Sequence, residues 1–190
     1  MPEENSTGCS SAQVNMSLPA SPSGCTILTV MKEIVFVCTG NTCRSPMAEG
    51  LLREALPAQW DAEVTVSSAG THAWNGQPAA SLSVKVLQEK GIDISGHLAR
   101  LVTPDIINKA SLVVALTPDH LDMMRATVPG AGEWMIILGG LDPEREKADV
   151  EDPIGGDVGD YRAARDDIAH LIAFLLEYIA ERFDLQADDR

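Results

Sequence analysis

Hydrophobic positions along this chain follow two periods in turn. Ile34-Val35-Phe36-Val37 is a continuous β-branched and aromatic run, which predicts a strand buried on both faces of a parallel sheet. Val64-Thr65-Val66-Ser67 alternates as a second strand, Ser111 to Leu116 gives a third, and Trp134 to Leu138 a fourth. Between them the period lengthens to that of a helix. Pro46 to Leu56 predicts a helix with Met47, Leu51, Leu52 and Ala55 on one face, and Ala79 to Lys90 another, with Leu82, Val86 and Leu87 inward and Gly91 as its stop. Thr103-Pro104-Asp105 and Thr117-Pro118-Asp119 each set a hydroxyl cap before a proline, a helix start. Met123 and Met124 in the second read as packing residues. Tyr161 to Phe183 is a long amphipathic helix with Ala164, Ile168, Leu171, Leu175 and Ile179 inward, and its Arg165, Asp166 and Asp167 read as a solvated face. Alternating strands and helices imply an α/β fold: a four-stranded parallel sheet flanked by helices on both faces.

Neither period appears in residues 1–30, which are rich in Ser, Pro, Gly, Asn and Thr and hold no Lys or Arg. That composition cannot bury enough apolar surface to offset its ordering entropy, and it lacks the basic start and apolar core of a signal peptide. The expected organisation is a disordered extension over 1–30, one domain over 31–184, and a disordered tail over 185–190. Gly139 to Asp160 is a Gly- and Asp-rich loop, too long to be idle.

Charge narrows the partners. A formal net charge of −14 argues against nucleic acid and anionic membranes, whose phosphates require clustered Lys and Arg. No apolar run reaches the length of a transmembrane helix. Cysteines stand at 9, 25, 38 and 43 without a disulfide framework or zinc-like Cys/His spacing, so no metal and no cofactor is expected, and a reducing cytoplasm suits the chain. An anion site must then be built locally.

The first strand leads straight into such a site. Cys38-Thr39-Gly40-Asn41-Thr42-Cys43-Arg44-Ser45 follows it, with Ser45 expected as helix N-cap and Pro46 as first helical residue. Strand, tight polar loop and helix start leave backbone N–H groups facing a phosphate-sized anion. Cys38 ends the strand, and the helix N-terminus with Arg44 is expected to lower its pKa into the thiolate range. The guanidinium fork grips two phosphate oxygens, and a thiolate beneath a cradled phosphate attacks phosphorus in line. Cys43 reads equally as a small loop residue or as a disulfide partner shielding Cys38.

With Ser67-Ser68-Ala69-Gly70-Thr71 and Asp152-Pro153, this loop resembles the low-molecular-weight protein tyrosine phosphatase family, including its bacterial protein-arginine-phosphatase branch, over about Met31 to Phe183. The resemblance implies phosphorylated proteins as substrates, Thr39 to Ser45 as the phosphate-binding loop, and Asp152 as general acid, with Glu151 and Asp157 as runners-up. It implies that Ser68 supports Asn41 and that Trp74 is an aromatic specificity residue at the pocket rim, whereas His72 reads as an exposed loop residue. The branches point different ways on substrate. Thr42 matches the arginine phosphatases, Trp74 resembles the tyrosine type, and Ile154 and Gly155 replace aromatics common in eukaryotic tyrosine-specific members. An arsenate reductase on the same scaffold requires a cysteine relay, and no cysteine follows Cys43. A non-catalytic phospho-residue binder is expected to lack Cys38 or Asp152, and both are present. Oligomeric state stays open.

Overall fold

The computed structural model describes residues 31–130 and 132–185; the expected disordered segment 1–30 and residues 186–190 lie outside them. The described residues form four parallel strands: β1 (Lys32–Cys38), β2 (Val64–Gly70), β3 (Leu112–Ala115) and β4 (Met135–Ile137), in the order β2-β1-β3-β4. The helices are α1 (Arg44–Ala55), α2 (Ser81–Gln88), α3 (Pro104–Lys109), α4 (Pro118–Thr127) and α5 (Val158–Phe183). None is long and apolar enough to cross a membrane.

β1 is central, and its side chains sort by parity. Ile34 and Phe36 enter one core with Met47, Leu52, Leu87, Ile168, Leu171 and Leu175 from α1, α2 and α5. Val35 and Val37 enter the other with Ile107, Leu121 and Met124 from α3 and α4. The chain leaves β1 toward β2 on one side and returns to β3 on the other. Connections therefore diverge at the carboxyl end of β1, the crevice where open α/β sheets bind ligands.

Several details depart from the sequence reading. β2 runs on to Gly70, because its ladder with β1 continues to the pair Cys38 and Gly70, so Ser68 lies in a strand and not in a loop. Gly70 is required there. A Cβ would stand 2.5 Å from the Thr39 carbonyl oxygen and 2.8 Å from the Asn41 nitrogen. Ala55 faces solvent, and Ala48 takes its place inside. Leu185, assigned to the tail, is buried against the core. Met124 is buried, and Met123 is 40% exposed.

The charged stretch of α5 is only in part a solvated face: Asp166 is exposed, and Arg165 is not. Arg165 is buried and donates to the Val86 carbonyl at 2.9 Å and to Glu89 at 3.0 Å, while Arg162 donates to Glu89 at 2.6 Å. The Arg162 hydrogen bond, then that from Arg165, holds the Glu89 carboxyl down at about 2. Asp167 pairs with Arg145 of the 139–157 loop at 2.5 Å. These ions tie α2 and the long loop to α5.

Candidate active site

Cys38 is the last residue of β1 and almost wholly buried. Its Sγ lies 3.0 Å from Ser45 Oγ and accepts the backbone N–H of Asn41 at 3.3 Å. Helix α1 starts at Arg44 with Cys43 at its cap position, so Ser45 is not the N-cap. The hydroxyl turns inward because the thiol and Asn41 compete successfully for it. Burial pushes the Cys38 thiol up, against the opposing hydrogen bonds of Ser45 and Asn41 and the charge of Arg44. A standing thiolate was expected, and the structure reverses that direction: desolvation outweighs the hydrogen bonds of Ser45 and Asn41 and the charge of Arg44 together.

That carboxylate is Asp152. Arg44 is 5% exposed and donates from Nη1 to the Val150 carbonyl at 3.1 Å and from Nη2 to Asp152 Oδ2 at 2.5 Å. Nη2 also reaches Thr39 Oγ1 at 3.5 Å. Its Nε is buried and has no partner among the described residues. Asp152 is in turn held by the N–H of Ile154 on Oδ1 at 3.2 Å. Glu151 and Asp157 are placed otherwise: Glu151 is exposed, and Asp157 caps α5 through Gly159 and Asp160. A cleft of about 500 Å³ lined by Asp152, Pro153, Ile154, Asp160 and Asp167 opens beside the carboxylate.

Asn41 holds the loop in shape. Its φ of 54° is in the left-handed region, which asparagine tolerates better than most residues. Both Nδ2 protons are used, on Ser45 Oγ at 2.9 Å and Ser68 Oγ at 2.8 Å. Oδ1 accepts the Arg100 N–H at 2.9 Å, and the carbonyl accepts His97 Nε2 at 2.8 Å. Ser68 passes its own proton to Glu49 at 2.6 Å. Every polar group of a buried, strained residue is thereby satisfied. Ser68 and Asn41 meet as expected; Glu49, His97 and Arg100 were missed, for no period or motif marks them.

The remaining residues divide. Thr42 is 8% exposed, its carbonyl accepting the Ala80 N–H at 2.9 Å and its Oγ1 3.4 Å from where a Cβ on Gly40 would stand. Cys43 Sγ faces the Tyr161 hydroxyl at 3.3 Å, and both cysteines are free thiols. Burial and this contact push the Tyr161 hydroxyl up. Trp74 is 80% exposed and Ile154 68%, neither within the hydrogen-bonded loop. His72 is exposed, as expected. His120, also missed, reaches Thr39 Oγ1 with Nε2 at 2.9 Å. The described residues bring together no His, Cys, Asp and Glu cluster able to hold a metal ion.

The structure thus sets a buried thiol at a strand end, in the same loop as a guanidinium that is paired with a carboxylate. The chain belongs to the low molecular weight phosphotyrosine protein phosphatase family, whose model matches residues 33–185. It is 41% identical over 150 residues to a protein-arginine-phosphatase of Geobacillus stearothermophilus, covering 76% of this chain and 94% of that one. Identity is 40% over 124 residues to a probable low molecular weight protein-tyrosine-phosphatase, EpsP, of Ralstonia solanacearum, covering 65% and 79%. Among solved structures, a YwlE arginine phosphatase variant with a phosphorylated active-site serine superposes with a TM-score of 0.73 at 32% identity, covering 81% of this chain and 99% of that one.

Proposed function

We propose that this chain is a protein phosphatase that hydrolyses phosphorylated side chains through a phosphocysteine on Cys38. One observation carries the reading: Cys38 and Arg44 bound one loop whose Asn41 and Ser45 N–H groups are directed at the thiol, and Arg44 holds Asp152 beside it. Once phosphate displaces it from Arg44, the Asp152 carboxylate takes up a proton and the Cys38 thiol gives its own up. The Sγ–P bond then forms as the bond from phosphorus to the leaving oxygen or nitrogen breaks, and Asp152 gives that atom its proton. The resulting carboxylate takes a proton from water as the water oxygen attacks phosphorus and the thiolate departs. Arg44 holds two phosphate oxygens, and its unpartnered Nε–H supplies a donor the protein leaves unused. An incoming phosphate displaces Asp152 from Nη2, which frees the acid.

Thr42 favours phosphoarginine. Its hydroxyl can accept from the polar phosphoguanidino group, and the arginine phosphatase relative supports the same side chain. Trp74 and the tyrosine phosphatase relative support phosphotyrosine as the second reading. Two free buried thiols suit a reducing compartment, so the cytoplasm is the proposed location. Reduction of arsenate would require a thiol relay, and the second described thiol, Cys43, is directed at Tyr161. Phosphate release from phosphoarginine and phosphotyrosine peptides in parallel tests the proposal. Release from at least one, lost in Cys38→Ser, is expected; release from neither overturns it.

A further inference from the structure

His120 takes no part in the reaction above, yet it reaches the phosphate loop from the opposite sheet face. It sits in the first turn of α4, 5% exposed, between two threonine hydroxyls: Nε2 is 2.9 Å from Thr39 Oγ1 and Nδ1 is 2.8 Å from Thr117 Oγ1. Thr117 is the N-cap of α4, and its oxygen also faces the His120 backbone N–H at 3.4 Å. Thr39 Oγ1 receives the Arg44 Nη2 proton over 3.5 Å, so its own hydroxyl proton can go to Nε2. The imidazole then carries its proton on Nδ1 and donates it to Thr117. A cavity of about 280 Å³ bordered by Thr39, Arg44, Thr117, His120 and Met123 lies alongside. Without Nε2, the Thr39 hydroxyl has open space into which to rotate.

We propose that His120 is a positioning residue: it fixes the Thr39 hydroxyl in one rotamer and, through it, the Arg44 guanidinium before phosphate arrives. The inference rests on Arg44 being the phosphate clamp. Burial first, then the Arg44 charge, holds the imidazole down at about 4, while Asp152, Asp119 and Asp149 pull the other way. It is therefore neutral through the physiological range and able to accept from Thr39. A protonated ring would have to donate instead, and would set a second cation beside Arg44.

The test is a double-mutant cycle on the full chain, using His120→Ala, Thr39→Val and the double variant, with inorganic phosphate affinity read by calorimetry and aryl phosphate turnover read in parallel. His120→Ala is expected to weaken phosphate binding and lower kcat/KM by about five- to thirtyfold, the size of one to two hydrogen bonds near a charge. In the Thr39→Val background the same change should add less than about twofold, because its route to Arg44 is already cut. A purely structural histidine would lower Tm and leave phosphate affinity per folded molecule unchanged; that result, or fully additive losses, overturns the proposal. The volume-filling His120→Leu carries the same cycle if the alanine variant does not fold. Absent wild-type turnover would sink the phosphatase reading, whereas the phosphate affinities of the four proteins judge His120 independently.

Discussion

Replacing Asp152 by alanine should move catalysis and phosphate binding in opposite directions. The carboxylate occupies Arg44 Nη2 at 2.5 Å, so phosphate must compete with it for the same donor. Two unit charges 4 Å apart interact by about 4 kcal/mol at an effective dielectric constant near 20. The Asp152 side chain is 37% exposed, however, and solvent screening with the entropy of holding the pair reduces the net worth to about 1–2 kcal/mol. Asp152→Ala should then bind inorganic phosphate or vanadate about five- to thirtyfold more tightly, at 1.4 kcal/mol per factor of ten. The same change removes the proton donor, and kcat should fall by about 10²–10⁴. That fall should be largest for poor leaving groups and shrink for an aryl phosphate whose phenol is strongly acidic. Calorimetric titration with phosphate, alongside kcat for a series of aryl phosphates, reads both effects. Unchanged or weaker phosphate binding would refute competition for Arg44; equal kcat losses across the series would refute the general-acid role.

Cys38→Ser should abolish turnover yet still bind vanadate, and appreciable turnover would remove Cys38 as nucleophile. Because burial raises the Cys38 pKa, the folded state holds that proton more tightly than the unfolded one. Stability should therefore fall as pH climbs past the ordinary thiol value of roughly 8.5, and melting curves of Cys38→Ser should lack that component. Thr42→Ile should lower kcat/KM for phosphoarginine peptides and spare phosphotyrosine ones, with Trp74→Ala doing the reverse; an unchanged ratio in kinetics on both peptides would sink the role of Thr42. Ser68→Ala leaves one Asn41 Nδ2 proton without a partner and removes the hydroxyl donor to Glu49 Oε2, which should lower stability by about 1–3 kcal/mol in denaturant titration and weaken phosphate binding with it.

The sheet, its order of elements and the Cys38 to Arg44 loop could be read from the chain because each is a local pattern. A β-branched run, a proline after a hydroxyl and a fixed Cys-to-Arg spacing need no tertiary information. Thr103 and Thr117 cap their helices as expected, for an N-cap is decided within four residues. Ser45 looked like a third such cap, and it failed because its hydroxyl had better partners in Cys38 of β1 and Asn41 of the loop. Arg165 looked solvated until Glu89 and the Val86 carbonyl closed over it. His97, Arg100, His120 and Glu49 come from three separate segments and have no apolar period to betray them. The Cys38 pKa direction was misread for a related reason: local sequence shows Arg44 beside the thiol, whereas depth of burial exists only once the chain is folded.

The position of β1 has a consequence for how the molecule comes apart. Its backbone is laddered to β2 on one edge and to β3 on the other, and both faces are covered. Amides of such a strand exchange with deuterium only when the whole domain opens, so the floor of the site should share the slowest exchange class of the protein. The segment carrying Asp152 is tied down at few points: Arg44 to the Val150 carbonyl and to Asp152, the buried Val150 with its N–H on the Leu116 carbonyl, and the Arg145–Asp167 pair. Its amides should exchange through much smaller openings. Thiol and acid thus sit at opposite ends of the protection range, and mild denaturant should detach the acid while the anion cradle stays formed. Such a state binds phosphate but turns over only slowly, which makes loss of activity an earlier event than loss of fold.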